Sequence, residues 1–127
     1  MKVLLVDDEK KFVLMLARRL NLRGIQAEFV YTGAEAIVLV EKGEHFDVAV
    51  LDVKMPGISG IELRRELEGL DPRMKFVFLT GHGSSIDYRV GASEAAFYLP
   101  KPLKIEELIK TLGRLTGGPV EDANPRH

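Results

Sequence analysis

The sequence of 127 residues contains no cysteine and no tryptophan, and its formal net charge is only −1. The absence of cysteine excludes disulfide bonds, thiolate metal sites, thiol redox chemistry and cysteine nucleophiles. With this near-neutral charge, the sequence lacks the excess of basic residues that is typical of domains that bind nucleic acid or anionic membranes directly. No apolar run approaches the ~18 residues that a membrane span needs. Hydrophobic residues make up 46% and charged residues 29%, which predicts one folded domain.

The amino terminus carries only a short apolar run, Val3–Val6, which ends at once in Asp7 and Asp8. A secretory signal peptide has a longer apolar region and no acidic residues at this point. The sequence therefore predicts a cytoplasmic protein that has no membrane partner.

Four apolar runs of four residues predict strands: Val3–Val6, Val48–Leu51, Phe76–Leu79 and Ala96–Leu99. Continuous apolar runs of this length are typical of strands that are covered on both faces, as in a parallel sheet. A fifth run at 27–31 contains Glu28, and this charge indicates an edge strand.

The segments between these runs have the period of amphipathic helices and carry helix start signals. Thr32 with Glu35, and Ser59 with Glu62, match the capping box that begins a helix. Helices are expected at about 9–22, after 32, after 59, at 84–90 and at about 104–115. The helix at 84–90 is expected to be the least stable, because glycines surround it and glycine disfavours helix.

Five strands that alternate with five helices predict an α/β fold. The common small solution is a doubly wound (βα)5 parallel sheet of order 2-1-3-4-5, a flavodoxin-like three-layer sandwich. Residues 1–116 are expected to form this domain. Residues 117–127 are expected to be a flexible tail or the start of a linker.

This topology predicts a site at one edge of the sheet, because ligands bind where the strand order reverses, between the first and third strands. Asp7 and Asp8 end the first strand and Asp52 ends the third, so three carboxylates should meet there. In such a cluster the pKa of one carboxyl group would rise steeply unless a cation compensates the negative charge. Oxygen ligands select a hard divalent cation, Mg²⁺ in the first place, with Mn²⁺ or Ca²⁺ as alternatives.

Thr80 and Lys101 end the fourth and fifth strands and should flank the same edge. A hydroxyl and an ammonium beside a metal are what the oxygens of a phosphoryl group need. The pattern therefore indicates phosphoryl transfer, with one carboxylate as the nucleophile.

Four motifs stand at the strand ends: Val6-Asp7-Asp8-Glu9, Leu51-Asp52-Val53-Lys54-Met55-Pro56-Gly57, Leu79-Thr80-Gly81 and Tyr98-Leu99-Pro100-Lys101-Pro102. In this order and spacing they make the sequence resemble the receiver domain of bacterial two-component response regulators. Each motif alone is weak, but the four together are highly specific. The resemblance extends over residues 1–115.

The resemblance implies that Asp52 is the phosphoacceptor of a sensor histidine kinase or a phosphotransfer protein. It implies that Asp8 and Asp52 bind Mg²⁺ through their carboxylates, Asp7 through a water molecule, and Lys54 through its backbone carbonyl. A receiver of this kind is not an enzyme, since it catalyses only its own phosphorylation and dephosphorylation.

The same resemblance implies roles for residues around the acceptor. Thr80 and Lys101 would contact the phosphoryl group, Tyr98 matches the aromatic switch position, and the bond before Pro102 is expected to be cis. The side chains of Lys54 and His82 would flank the path of the attacking water and slow hydrolysis. The helix at 84–90, the fifth strand and the last helix would form the output face, read by an output domain, a partner protein or a second copy in a homodimer.

Other interpretations stay open at the level of the sequence. A Mg²⁺-dependent phosphohydrolase with an aspartate nucleophile would have its two aspartates two residues apart, whereas Asp7 and Asp8 are adjacent. A degenerate receiver that serves only as a scaffold would not need Asp52, Thr80 and Lys101 together. Asp7 and Asp8 could also cap the first helix, which is compatible with metal binding.

Overall fold

A computed structural model describes residues 1–81 and 97–117 of the chain. One parallel sheet contains five strands: β1 Lys2–Val6, β2 Gln26–Val30, β3 Val48–Asp52, β4 Lys75–Thr80 and β5 Phe97–Pro100. The strand order is β2-β1-β3-β4-β5, and all neighbouring strands are parallel. The predicted flavodoxin-like order is confirmed, and β2, which contains Glu28, is an edge strand as expected.

The described residues contain four helices: α1 Lys10–Leu22, α2 Gly33–Glu41, α3 Gly60–Leu70 and α4 Ile105–Thr116. The helix predicted at 84–90 and residues 118–127 of the predicted tail lie outside the described residues. Within the described ranges, no helix is long and apolar enough to cross a membrane.

Both predicted capping boxes are present. The hydroxyl of Thr32 accepts a hydrogen bond from the Glu35 N–H at 3.1 Å, and the Glu35 carboxylate accepts one from the Thr32 N–H at 3.1 Å. Ser59 and Glu62 make the equivalent pair at 3.2 and 3.1 Å. These bonds satisfy backbone N–H groups that the first turn of a helix leaves unpaired, so they determine where α2 and α3 begin.

Two layers of helices cover the sheet. On one face, α1 and α4 bury Leu16, Leu20, Leu108 and Leu112 against the strands. On the other face, α2 and α3 form a second cluster with Ala36, Leu63, Leu67 and Phe78. Burial of this apolar surface is the main force that holds the strand ends in place.

Candidate functional site

The register of the sheet brings the carboxyl ends of four strands to one edge. Val6 of β1 pairs with Leu51 of β3, and Thr80 of β4 pairs with Pro100 of β5. The residues that the sequence predicts for the site stand at or just after these ends: Asp7, Asp8, Asp52, Thr80 and Lys101.

Three carboxylates meet at this edge, as the sequence predicts. One oxygen each from Asp7, Asp8 and Asp52 lies within 4.8 Å of the other two. Asp7 and Asp52 are buried, while Asp8 is exposed to solvent. A cluster of oxygen ligands that is buried on one side and open on the other gives a hard cation both protein ligands and access to water.

Backbone N–H groups orient the two buried carboxylates. The Glu9 N–H donates to Asp7 Oδ1 at 2.9 Å, and the Lys54 N–H donates to Asp52 Oδ1 at 3.3 Å. In each carboxylate the other oxygen, Oδ2, faces the ammonium of Lys101. The donors come from the loop immediately after each aspartate, so the local chain direction sets the direction of the carboxylate.

Lys101 lies between the carboxylates. Its Nζ is 2.9 Å from Asp7 Oδ2 and 3.5 Å from Asp52 Oδ2, and it also contacts the carboxylate of Glu9 directly. The ammonium lies 4.8 Å from the centre of the Phe12 ring, which places it over an aromatic face. Glu9 belongs to one of the sequence motifs, but the sequence predicts no role for it. For Phe12 the sequence predicts only a place on the apolar face of the first helix.

The backbone of Lys101 is held as well. Its N–H donates to the Thr80 carbonyl at 2.8 Å, which joins the ends of β4 and β5. The Lys101–Pro102 peptide bond is cis, as expected.

The buried carboxyl groups have raised pKa values. For Asp52, burial is the larger cause and the negative charge of Asp7 is the second, and together they raise the pKa to about 6 against the opposing effect of Lys101. Burial also raises the pKa of Asp7, although the hydrogen bond from the Glu9 N–H and the nearby Lys101 ammonium lower it in part. One ammonium therefore leaves the negative charge of the cluster incompletely compensated.

The pKa of Lys101 is raised in spite of the burial of its ammonium. Burial of the ammonium lowers this pKa, but hydrogen bonds to Glu9 and Asp7 and the charges of Asp7 and Asp52 raise it by more. Lys101 is therefore a permanent cation of the site at any physiological pH.

The donor set fits a hard divalent cation. Asp7 Oδ2 is buried and lies 2.9 Å from Lys101 Nζ, an ammonium that it shares with Glu9 and Asp52. A cluster of three carboxylates with one ammonium beside it has the oxygen ligands and the uncompensated negative charge that fit Mg²⁺ bound by Asp7, Asp8 and Asp52.

The remaining predicted residues lie around this cluster. Thr80 is half-buried at the end of β4, and Lys54 is exposed in the loop after Asp52. Tyr98 stacks on Phe78, with ring centres 5.2 Å apart and 24° between the ring planes. His82 lies outside the described residues. Tyr98 is thus packed on the face of the sheet that α2 and α3 cover. Its partner in β4 is Phe78, which is two residues before Thr80.

Gly60 lets α3 begin against the backbone of Asp52. A Cβ atom at this position would lie 2.3 Å from the carbonyl oxygen of Asp52, closer than any real contact. The Gly60 N–H donates to the Val53 carbonyl at 2.9 Å. Only a residue without a side chain permits this close approach of the two backbones. The sequence contains this glycine, but the sequence alone does not explain it.

Comparison with known proteins agrees with this geometry. A family model described as a response regulator receiver domain matches residues 3–113. The response regulator MprA of Mycobacterium tuberculosis is 34% identical over 116 residues, which are 90% of this chain and 50% of that protein. The chain thus spans about half the length of the curated response regulators of this type.

Solved structures show the same similarity. The receiver domain of a Francisella response regulator, 1452, has a TM-score of 0.80 and 30% identity, over 91% of this chain and 96% of that one. A response regulator from Burkholderia pseudomallei, solved with a phosphorylated aspartic acid, a calcium ion and citrate, has a TM-score of 0.78 and 29% identity. That match covers 87% of this chain and 65% of the other.

Proposed function

This chain belongs to the family of response regulator receiver domains, and from that membership we propose that Asp52 is the residue that accepts the phosphoryl group. Receiver domains are signalling modules of two-component systems rather than enzymes, so the prediction that this chain is not an enzyme is confirmed and the phosphohydrolase alternative is set aside. A histidine kinase is the partner that such a domain implies. The observation that supports Asp52 is its place in a carboxylate cluster that spans 4.8 Å, with Lys101 Nζ 3.5 Å from it.

The proposed reaction is an in-line transfer from phosphohistidine on a histidine kinase or a phosphotransfer protein. A carboxylate oxygen of Asp52 attacks phosphorus and forms a P–O bond. The P–N bond breaks, and its electron pair stays on the imidazole nitrogen. With a pKa of about 6, Asp52 is mainly ionised at neutral pH and can act as a nucleophile.

Other residues of the site would bind and orient the phosphoryl group. When bound to Asp8, to Asp52, to Asp7 through water and to the Lys54 carbonyl, Mg²⁺ would supply the positive charge that offsets the cluster and the phosphoryl oxygens. The Lys101 ammonium, next to Asp52 Oδ2, would pair with the phosphoryl group. Thr80, at the same edge, would donate its hydroxyl to a phosphoryl oxygen.

The proposed output is a surface that responds to phosphorylation. It comprises the segment at 84–90, β5 and α4, and an output domain, a partner protein or a second copy of the chain would bind it. Tyr98 of β5, which stacks on Phe78, is the proposed aromatic switch. We further propose a cytoplasmic location, with residues 1–116 as the receiver unit and 117–127 as a tail or linker.

The test is phosphorylation by acetyl phosphate, followed by intact mass. The wild-type chain should gain about 80 Da with Mg²⁺, the mass of one phosphoryl group on one carboxylate, and nothing with EDTA. Asp52→Asn should abolish the gain. Asp47→Asn makes the same chemical change just before the amino-terminal end of β3, where the Asp47 carboxylate accepts a hydrogen bond from the Lys2 N–H. This variant should show the same mass gain as the wild-type chain.

Undiminished labelling of Asp52→Asn would show that another residue is the acceptor. No labelling of the wild-type chain by acetyl phosphate or by a phosphorylated histidine donor would favour the degenerate scaffold instead.

A further inference from the structure

Glu9 stands at the start of α1, but its side chain does not serve the helix. It is the N-cap residue, with extended backbone angles, and makes no capping hydrogen bond. Serine, threonine, aspartate and asparagine are preferred at this position because their short side chains reach the first N–H groups. A residue that breaks a local rule at the edge of a site indicates that another interaction favours it.

That other interaction is with Lys101, 92 positions later in the chain. The Glu9 carboxylate contacts Lys101 Nζ directly, on the solvent side of the ammonium, while Asp7 holds it from the buried side at 2.9 Å. Asp52 has the longer contact, at 3.5 Å. The ring of Phe12 lies beneath the ammonium and limits where it can move. Lys101 is thus held mainly by two carboxylates that are not the acceptor.

We propose that Glu9 is a positioning residue that holds Lys101 partly away from Asp52 and competes with the phosphoryl group for the ammonium. This inference rests on the proposed role of Asp52. An aspartyl phosphate carries about two negative charges where the carboxylate carried one, so it needs the ammonium more than the free carboxylate does. Lys101 must leave Glu9 in order to make full contact with the phosphoryl group. The contact with Glu9 therefore destabilises the phosphorylated state relative to the unphosphorylated state.

The size of the effect follows from exposure. The Glu9 side chain is 60% exposed and that of Lys101 is 17% exposed. Ion pairs with one exposed member are screened by water and change equilibria modestly. Removal of the Glu9 charge should therefore strengthen binding of a phosphoryl analogue about two- to fivefold.

The experiment measures the affinity for beryllofluoride at saturating Mg²⁺, and separately the affinity for Mg²⁺ alone, by titration calorimetry. Glu9→Gln should bind beryllofluoride about two- to fivefold more tightly and Mg²⁺ no more tightly than the wild-type chain. Glu9→Asp keeps the charge and improves capping but shortens the reach, so it should behave like Glu9→Gln. Glu41→Gln removes the same charge from an exposed site at the end of α2 and should change neither affinity.

The outcomes separate the possible roles. Weaker binding of both ligands in Glu9→Gln would show that Glu9 supports the cation or the fold, and would overturn the proposal. Wild-type behaviour of Glu9→Asp would show that general charge, and not contact with Lys101, decides the effect, and would overturn it as well. A wild-type chain that binds no beryllofluoride at saturating Mg²⁺ would overturn the proposed function itself.

Discussion

Asp7 and Asp52 are buried carboxyl groups that share one ammonium, and their pKa values are raised as a result of that burial. The pKa of Asp52 rises from an ordinary value of 3.8 to about 6, so the folded protein holds this proton more tightly than the unfolded chain. The corresponding stability is complete below the ordinary value and is lost as pH rises through 6. Lys101, whose pKa is raised, stays protonated throughout and does not contribute to the change.

Without Mg²⁺, the wild-type chain should therefore lose about 1 kcal/mol of unfolding free energy between pH 5 and pH 7 relative to Asp52→Asn. Urea unfolding at both pH values measures this difference. Addition of Mg²⁺ at pH 7 should stabilise the wild-type chain more than Asp52→Asn, because the cation replaces the proton as the compensating charge. Parallel pH profiles for the two proteins would contradict the assignment of the raised pKa to Asp52.

We expect the lifetime of a phosphoryl group on Asp52 to depend on the side chains beside that residue. Lys54 is exposed two residues after Asp52, and we expect its side chain to shield the phosphoryl group from solvent. His82, the second residue of this prediction, lies outside the described residues. We expect the double variant Lys54→Ala, His82→Ala to lose the phosphoryl group faster than the wild-type chain, because two bulky groups no longer obstruct the attacking water. Decay of the intact mass over time measures this, and equal or slower decay would rule out shielding by these side chains.

At the level of elements, α3 begins in contact with the acceptor backbone. Gly60→Ala should destabilise the chain by about 2–4 kcal/mol, because the new Cβ would lie 2.3 Å from the Asp52 carbonyl oxygen and β3 or α3 must shift. It should also slow phosphorylation, since that shift moves Asp52. Gly69 lies in the same helix, and a Cβ added there would have no neighbouring atom within 4 Å. Gly69→Ala should therefore stabilise the chain by about 0.5–1 kcal/mol through helix propensity.

Thermal or urea unfolding of the two variants, together with their rates of labelling by acetyl phosphate, tests this contrast. Equal effects of the two substitutions on stability would show that the approach of Gly60 to β3 is not required.

For the five strands, α1 and α4, the ends that the sequence predicts lie within one residue of those in the structure. The fifth strand was expected at 96–99 and lies at Phe97–Pro100. Its last residue is a proline, which an edge strand tolerates because one side of the strand makes no ladder hydrogen bonds. The apolar run alone cannot show this, since the pairing of Thr80 with Pro100 depends on β4.

For the whole molecule, phosphorylation should alter one side of the sheet. A hydrogen bond from Lys101 to Thr80 joins the ends of β4 and β5, and Tyr98 stacks on Phe78, which is two residues before Thr80. We therefore expect movement of Thr80 and Lys101 to change the space that Tyr98 occupies. We expect beryllofluoride with Mg²⁺ to change hydrogen exchange mainly in residues 81–105, as a population shift between two packings. Residues 82–96 of this range lie outside the described residues.

Thr80→Ala should suppress these exchange changes while Mg²⁺ still binds, because it removes the hydroxyl that we propose as a donor to the phosphoryl oxygens. Thr116→Ala makes the same substitution at the far end of α4, where the hydroxyl binds the Leu112 carbonyl, and should leave the response intact. Changes confined to α1, or an undiminished response in Thr80→Ala, would show that the signal does not pass through β4 and β5.

Apolar runs, capping boxes and strand-end aspartates were enough to predict the α/β class, the strand order and the meeting of Asp7, Asp8 and Asp52. Local patterns decide these features because right-handed crossovers leave few ways to arrange five parallel strands. The contact of Glu9 with Lys101 and the approach of Gly60 to the acceptor backbone could not be predicted in this way. They depend on side-chain length, on chain segments that meet only in the folded protein and on the packing of helices against the sheet, which no local pattern specifies.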